Sequence, residues 1–200
     1  MTDFSNSTII ELAAVIASHL GKKDIKIVLV GGLAVEFYSN NIYLTNGIDM
    51  VNTCYQSPKA LNEAMAELGF SKVGRVYINN TTAISVEFPS APLVVGNDFV
   101  NEVTTISVGN SEIPILHAID VVKDRLAAYF HWNDRPSLAQ ALTVMLCHAI
   151  KPVEIKPFCV SEMKVEEFPF IEMLHNMSEK QHFKSMEEIE NLVLHEYLKR

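Results

Sequence analysis

The run Lys26-Ile-Val-Leu-Val-Gly-Gly32 constrains the fold more than any other stretch of the chain. Its apolar, β-branched residues read as a buried strand, and the two glycines mark a tight turn at its end. Leu33 to Ser39 then reads as the helix which that turn opens. A strand that passes through glycines into a helix belongs to a sheet covered by helices, so the expected class is α+β with an α/β core. Without β-carbons, the backbone N–H groups of Gly31 and Gly32 can approach an anion, and the start of the following helix adds a favourable dipole. The same pair also serves as an ordinary tight turn, because no Gly-x-x-x-x-Gly-Lys or Gly-x-Gly-x-x-Gly pattern accompanies it.

The flanking segments supply the rest of such a core. Thr8-Ile-Ile-Glu11 is a capping box, followed by Ile9, Leu12, Ile16 and Leu20 at helical spacing as far as Gly21. Ile48 to Val51 reads as a second strand, and Ser57-Pro58 opens a helix with Leu61, Met65 and Leu68 inside and Gly69 as its stop. Val73 to Ile78 and Ala83 to Phe88 flank turn residues and predict an antiparallel hairpin; Thr104 to Val108 and Glu112 to Leu116 predict another around Gly109-Asn110. The sheet is therefore expected to be mixed. Beyond it the pattern is helical, with Asp120 as the expected N-cap of Val121 to Phe130 and a break at Asn133-Asp134 before a helix opened by Pro136. Lys151 to Pro169, with three prolines, reads as an extended connection, and Ser185-Met-Glu-Glu188 caps a last helix. The expected organisation is a core over residues 1–118 and a helical extension over 119–200, packed as one compact unit.

Composition narrows the partners. A net charge of −8, with 24 acidic residues against 16 basic ones, disfavours a phosphate backbone as the main ligand. No apolar run approaches the roughly 18 residues of a membrane span, and the start carries no signal-peptide pattern, so a cytoplasmic protein is expected. Cys54, Cys147 and Cys159 are too widely spaced for a disulfide framework or a Cys-x-x-Cys pair and are expected to be reduced.

Two acids stand out. Asp49 lies between Ile48 and Met50, and Glu87 between Val86 and Phe88, each projecting opposite to the core residues of its strand. Either can be the solvent-side member of an alternating strand. Together, downstream of a glycine turn able to hold phosphate, they form the kind of carboxylate group that Mg²⁺ takes beside phosphate oxygens.

Val30-Gly-Gly-Leu-Ala-Val-Glu-Phe-Tyr38, Tyr43-Leu-Thr-Asn-Gly-Ile-Asp-Met50 and Val86-Glu-Phe-Pro89, in that order, resemble the minimal nucleotidyltransferases of the DNA polymerase beta superfamily. Asp120 to Ala128 and His131 to Arg135 are similar to the helical part that follows the core in some bacterial members, so the resemblance covers roughly residues 25 to 147. It implies a nucleotidyltransferase-like mixed sheet with flanking helices, a nucleoside triphosphate held at Gly31 and Gly32, and Mg²⁺ held by Asp49 and Glu87. Glu87 is implied either as metal ligand or as the base that activates an attacking hydroxyl. It also implies that basic residues of the helical part, here Lys123 and Arg125, approach the phosphates; Trp132, Asp134 and Arg135 lie in the same part. Lys123 and Arg125 are two apart on a helix, so at most one shares the site's face.

Gly47 departs from that pattern. In an Asp-x-Asp strand the two acids share a face and clamp the metals, and a glycine in the first position supplies no ligand. Asn46 carries an amide oxygen but sits one residue out of phase. Two functions are therefore expected from the same scaffold. One is transfer of a nucleotidyl group to a small-molecule or protein hydroxyl. The other is a catalytically inactive binding or regulatory module with a protein partner, as in some toxin–antitoxin pairs.

Overall fold

The computed structural model describes residues 2–54 and 57–200, with α-helices and a seven-stranded mixed sheet, an α+β protein. The chain divides into two units: Met1–Ala34, Thr45–Val94 and Phe99–Leu116 form the first, and Val35–Leu44, Val95–Asp98 and His117–Arg200 the second.

In the first unit, α1 (Ile9–Gly21) starts at Thr8, whose hydroxyl accepts from Glu11 N while Glu11 returns a bond to Thr8 N at 2.8 Å. Its stripe Leu12, Ile16 and Leu20 is fully buried and packs on the sheet. The strands are β1 (Ile27–Val30), β2 (Gly47–Asn52), β3 (Ser71–Val73), β4 (Val76–Ile78), β5 (Ser85–Glu87), a short ribbon of β6 (Val94–Val95) and β7 (Asp98–Phe99), β8 (Thr104–Val108) and β9 (Ser111–Ile115). The main sheet runs β3-β4-β5-β2-β1-β9-β8. β1 pairs antiparallel with β2 and parallel with β9, and β2 pairs parallel with β5. Both expected hairpins form, β4 with β5 and β8 with β9. α3 (Pro58–Glu67) begins at Ser57, whose hydroxyl accepts from Ala60 N, with proline in the first turn where no N–H is needed.

The helix after β1 begins earlier than the sequence predicts. α2 spans Gly31–Tyr38, so the two glycines are its first residues rather than a separate turn. Gly31 has φ +63°, a left-handed conformation that reverses the chain within one residue, which removes the need for a longer connection.

The second unit contains α4 (Ala118–Trp132), α5 (Arg135–Cys147), α6 (Pro152–Ser161), a 3-10 turn (Val165–Glu167), α7 (Phe168–Gln181) and α8 (Met186–Tyr197). α5 packs against α4, α7 and α8 and is buried nearly all round, which makes it the centre of this unit. Two expectations are corrected here. The N-cap of α4 is His117; Asp120 lies inside the first turn, where its carboxylate still faces the positive helix end. Lys151 to Pro169 is not extended but holds α6, the 3-10 turn and the start of α7. Pro152 and Pro169 stand in the first turns of their helices, where proline is tolerated, and only Pro157 lies within one. All three cysteines are free thiols. No helix among the described residues is long and apolar enough to cross a membrane.

His175 on α7 is 1% exposed, and among the described residues neither ring nitrogen makes a hydrogen bond of ordinary geometry. Burial lowers its pKa below the ordinary 6.5, against a partial opposing pull from Glu179. The folded state therefore binds this proton less readily than the unfolded chain. Its contribution to stability is intact above about pH 6.5 and is lost as the pH falls from there through the lowered folded value. Urea unfolding from about pH 7.5 to 5.5 should show wild type losing up to about 1.4 kcal/mol per pH unit more than His175→Gln. Parallel pH profiles for the two proteins would contradict this.

Candidate functional site

The site grows from the end of β1. Val30 is the register partner of Asp49, so the strand delivers Gly31 beside the Asp49 side chain. A β-carbon on Gly31 would overlap Asp49 Oδ2 and stand 3.0 Å from Asp49 Cβ, so the close approach depends on glycine as much as the positive φ does. Gly32 is crowded in a milder way, because a β-carbon there would lie 3.1 Å from Thr45 Oγ1. Thr45 Oγ1 in turn accepts from Gly47 N at 3.2 Å. The first N–H groups of a helix have no intrahelical acceptor, which leaves the start of α2 suited to an anion.

The parallel pairing of β2 with β5 joins the two acids. Gly47 pairs with Ser85, Ile48 with Val86 and Asp49 with Glu87. Ile48 and Val86 are fully buried on one face, so Gly47, Asp49, Ser85 and Glu87 share the other. Neighbouring strands lie about 4.8 Å apart, which puts the two carboxylates side by side on one rung. The rung continues through Val76 on β4 and Val30 on β1.

Glu87 is engaged. Arg75, in the turn between β3 and β4, donates to its Oε1 from Nε at 3.0 Å and from a terminal nitrogen at 2.8 Å. The Arg75 side chain is 87% exposed, so this is a surface ion pair that little energy is needed to open. Gly47 leaves its place on the same face open, since a β-carbon there would meet only Thr45 Oγ1, at 3.9 Å. Asn46, exposed, contributes its backbone instead: its carbonyl accepts from Ser85 N at 3.1 Å and so holds β5 to the start of β2.

Lys123 and Arg125 belong to α4 in the second unit, and each is paired within its own helix. Lys123 Nζ lies 3.0 Å from Asp120 Oδ1, and Arg125 binds the Asp124 carboxylate through Nε, at 3.0 Å, and a terminal nitrogen. The other residues of that stretch have structural tasks. Asp134 caps α5 by accepting from Ser137 N at 3.4 Å and also accepts from Ser137 Oγ at 2.8 Å, Arg135 lies over the Tyr197 ring, and Trp132 is exposed at the end of α4.

Among the described residues no group of three or more His, Cys, Asp or Glu is arranged to hold a metal ion. Asp49 and Glu87 supply two carboxylates on one rung, and Mg²⁺ commonly takes one or two carboxylates with phosphate oxygens and water. The sequence reading missed Arg75 and Thr45. Gly74-Arg75 between Val73 and Val76 carries a usable signal, a two-residue hairpin turn opened by a glycine, which splits what otherwise reads as one strand. Set beside known proteins, the chain matches no family model, no curated protein and no solved structure.

Proposed function

We propose that the first unit binds a nucleoside triphosphate together with Mg²⁺ as nucleotidyltransferases do, with Gly31 and Gly32 toward the phosphates and Asp49 and Glu87 toward the metal. The observation that supports this reading is the single rung carrying Asp49 and Glu87 next to Gly31. Bound Mg²⁺ neutralises phosphate charge and favours attack at phosphorus. Gly31 keeps the backbone low enough for a phosphate to reach the first N–H groups of α2, and Asp49 lies against that turn. Glu87 exchanges Arg75 for the metal. Residues of the first unit suffice, and Lys123 and Arg125 stay with their own carboxylates.

In a full transfer reaction an acceptor hydroxyl forms a bond to the α-phosphorus as the bond to pyrophosphate breaks, and the hydroxyl proton passes to a base such as Glu87. Gly47 withdraws one carboxylate from this arrangement, and losing one such electrostatic contact typically slows a reaction by about 10²–10³-fold. The empty place at Gly47 and the neutralised Glu87 therefore favour a second reading, a nucleotide-responsive binding module serving a protein partner, over rapid turnover.

Calorimetry with ATP and GTP in the presence of Mg²⁺ tests both. Wild type is expected to bind one of them, and Asp49→Asn to weaken that binding at least tenfold, since it removes a charged ligand. Gly47→Asp, for which there is room, is expected to tighten binding and to release pyrophosphate. Binding by neither wild type nor Gly47→Asp rules out the nucleotide reading. Pyrophosphate release by wild type itself rules out the inactive module.

A further inference from the structure

The first unit also has a cavity of about 410 Å³ lined in part by Asn52, Pro58, Lys72, Arg75, Tyr77 and Phe88. Asn52 ends β2 and Phe88 follows β5, so the cavity opens at the carboxyl ends of the two parallel strands. Open sheets commonly bind ligands at such ends. Lys72 and Tyr77 are register partners, as are Tyr77 and Val86, which places Lys72 and Tyr77 on the sheet face opposite Asp49 and Glu87. The cavity is thus distinct from the proposed nucleotide face and goes beyond that reading.

Its chemistry runs against that of the chain. The protein carries 24 acidic and 16 basic residues, yet among the described residues the cavity is lined by two cations and no carboxylate. The Lys72 ammonium stands 5.5 Å from the centre of the Tyr77 ring and has no carboxylate partner among the described residues. Among the described residues Arg75 is held by the exposed pair with Glu87, and its side chain is 87% exposed. Pro58 brings the positive end of the ten-residue α3 to the rim. Tyr77, 2% exposed, and Phe88 meet edge to face with centroids 5.4 Å apart, and the Tyr77 hydroxyl is spent on Asn62. Tyr77 thus fixes the ring of the half-buried Phe88, which is the apolar surface offered to the cavity.

We infer that this cavity binds a small organic anion, its phosphate or carboxylate head held by Lys72 and Arg75 and its apolar body laid against Phe88. Arg75 cannot serve the ligand and Glu87 fully at once, so occupancy here loosens Glu87 on the other face.

Titration calorimetry without Mg²⁺, using phenyl phosphate, benzoate and the neutral phenol as probes, tests the assignment. Wild type is expected to bind at least one of the two anions, and which one binds identifies the head group. Phenol is expected to bind at least tenfold more weakly. Lys72→Gln and Arg75→Gln, both on exposed side chains, should each weaken the anion about tenfold, as expected for loss of a charge-assisted contact. Glu87→Gln should tighten it several-fold, because Arg75 is no longer shared, while Asp49→Asn should leave it unchanged and thereby separates this site from the nucleotide face. Failure of both anions to bind, equal binding of phenol, or unaltered affinity in the Lys72→Gln/Arg75→Gln double variant overturns the assignment.

Discussion

Gly31→Ala should lower the free energy of unfolding by about 3 kcal/mol, more than any other single methyl group added in the first unit. Two independent terms contribute. A residue with a β-carbon in the left-handed region costs about 1–2 kcal/mol, and Gly31 holds φ +63°. Forcing a methyl into a filled space adds a further ~1–3 kcal/mol, and here the new carbon falls on the Asp49 carboxylate and 3.0 Å from Asp49 Cβ. The carboxylate can swing aside, but Asp49 Cβ is fixed by its strand. Gly47→Ala is the internal control. Its β-carbon meets nothing closer than 3.9 Å, so the loss should stay below about 1 kcal/mol. Urea denaturation at equal m-values measures both, and similar losses in the two variants would refute the steric account.

The second large effect is expected in the second unit, at Glu162. Its side chain is wholly buried, with Oε1 accepting from Asn97 N at 2.8 Å and Oε2 lying 2.7 Å from His131 Nε2. Gly96, at φ +58°, brings the chain so close that a β-carbon there would overlap Oε1. This carboxylate therefore holds the 96–97 turn and α4 to the end of α6. Glu162→Ala removes the acceptor shared by Asn97 N and His131 and opens a void in place of a wholly buried side chain, a loss of about 3 kcal/mol. Glu162→Gln keeps an acceptor and the volume and should lose about 1 kcal/mol. Trp132, the single tryptophan, lies 6.2 Å from the His131 ring between centroids, so its fluorescence reports both global unfolding and local release of His131. Equal losses in the alanine and glutamine variants would contradict this account, since glutamine keeps the volume and an acceptor and shares with alanine only the loss of the charge.

What was legible in the sequence were features whose cause is local. Thr8, Ser57 and Ser185 announce their helices because a cap is a matter of three or four residues, and all three hydroxyls accept the expected backbone N–H. The hairpins follow from alternation on either side of turn residues. Asp49 and Glu87 could be assigned to the outward faces of their strands from alternation alone, but their meeting on one rung depends on the register of β2 with β5, which no local pattern encodes. Lys151 to Pro169 was misjudged for the opposite reason. Proline is a strong local signal whose meaning depends on position, breaking a helix inside it and favouring one at its start. The pattern Phe170, Ile171, Leu174 marks the inner face of α7, but the polar stretch after it masks the period. Glu162, inside that misread stretch, was invisible as a partner of Asn97 and His131 because its role arises only after α6 has formed.

The parallel pairing of β2 with β5 also spans a longer stretch of chain than the pairing of β1 with β2. β1 meets β2 after α2 and a short connection, whereas β5 reaches β2 only once residues 53–84 have turned back along the sheet through α3 and two short strands. Contacts that close longer stretches of chain form later. Asp49 thus reaches Gly31 by closing a shorter stretch of chain than the one that brings Glu87 to the same rung.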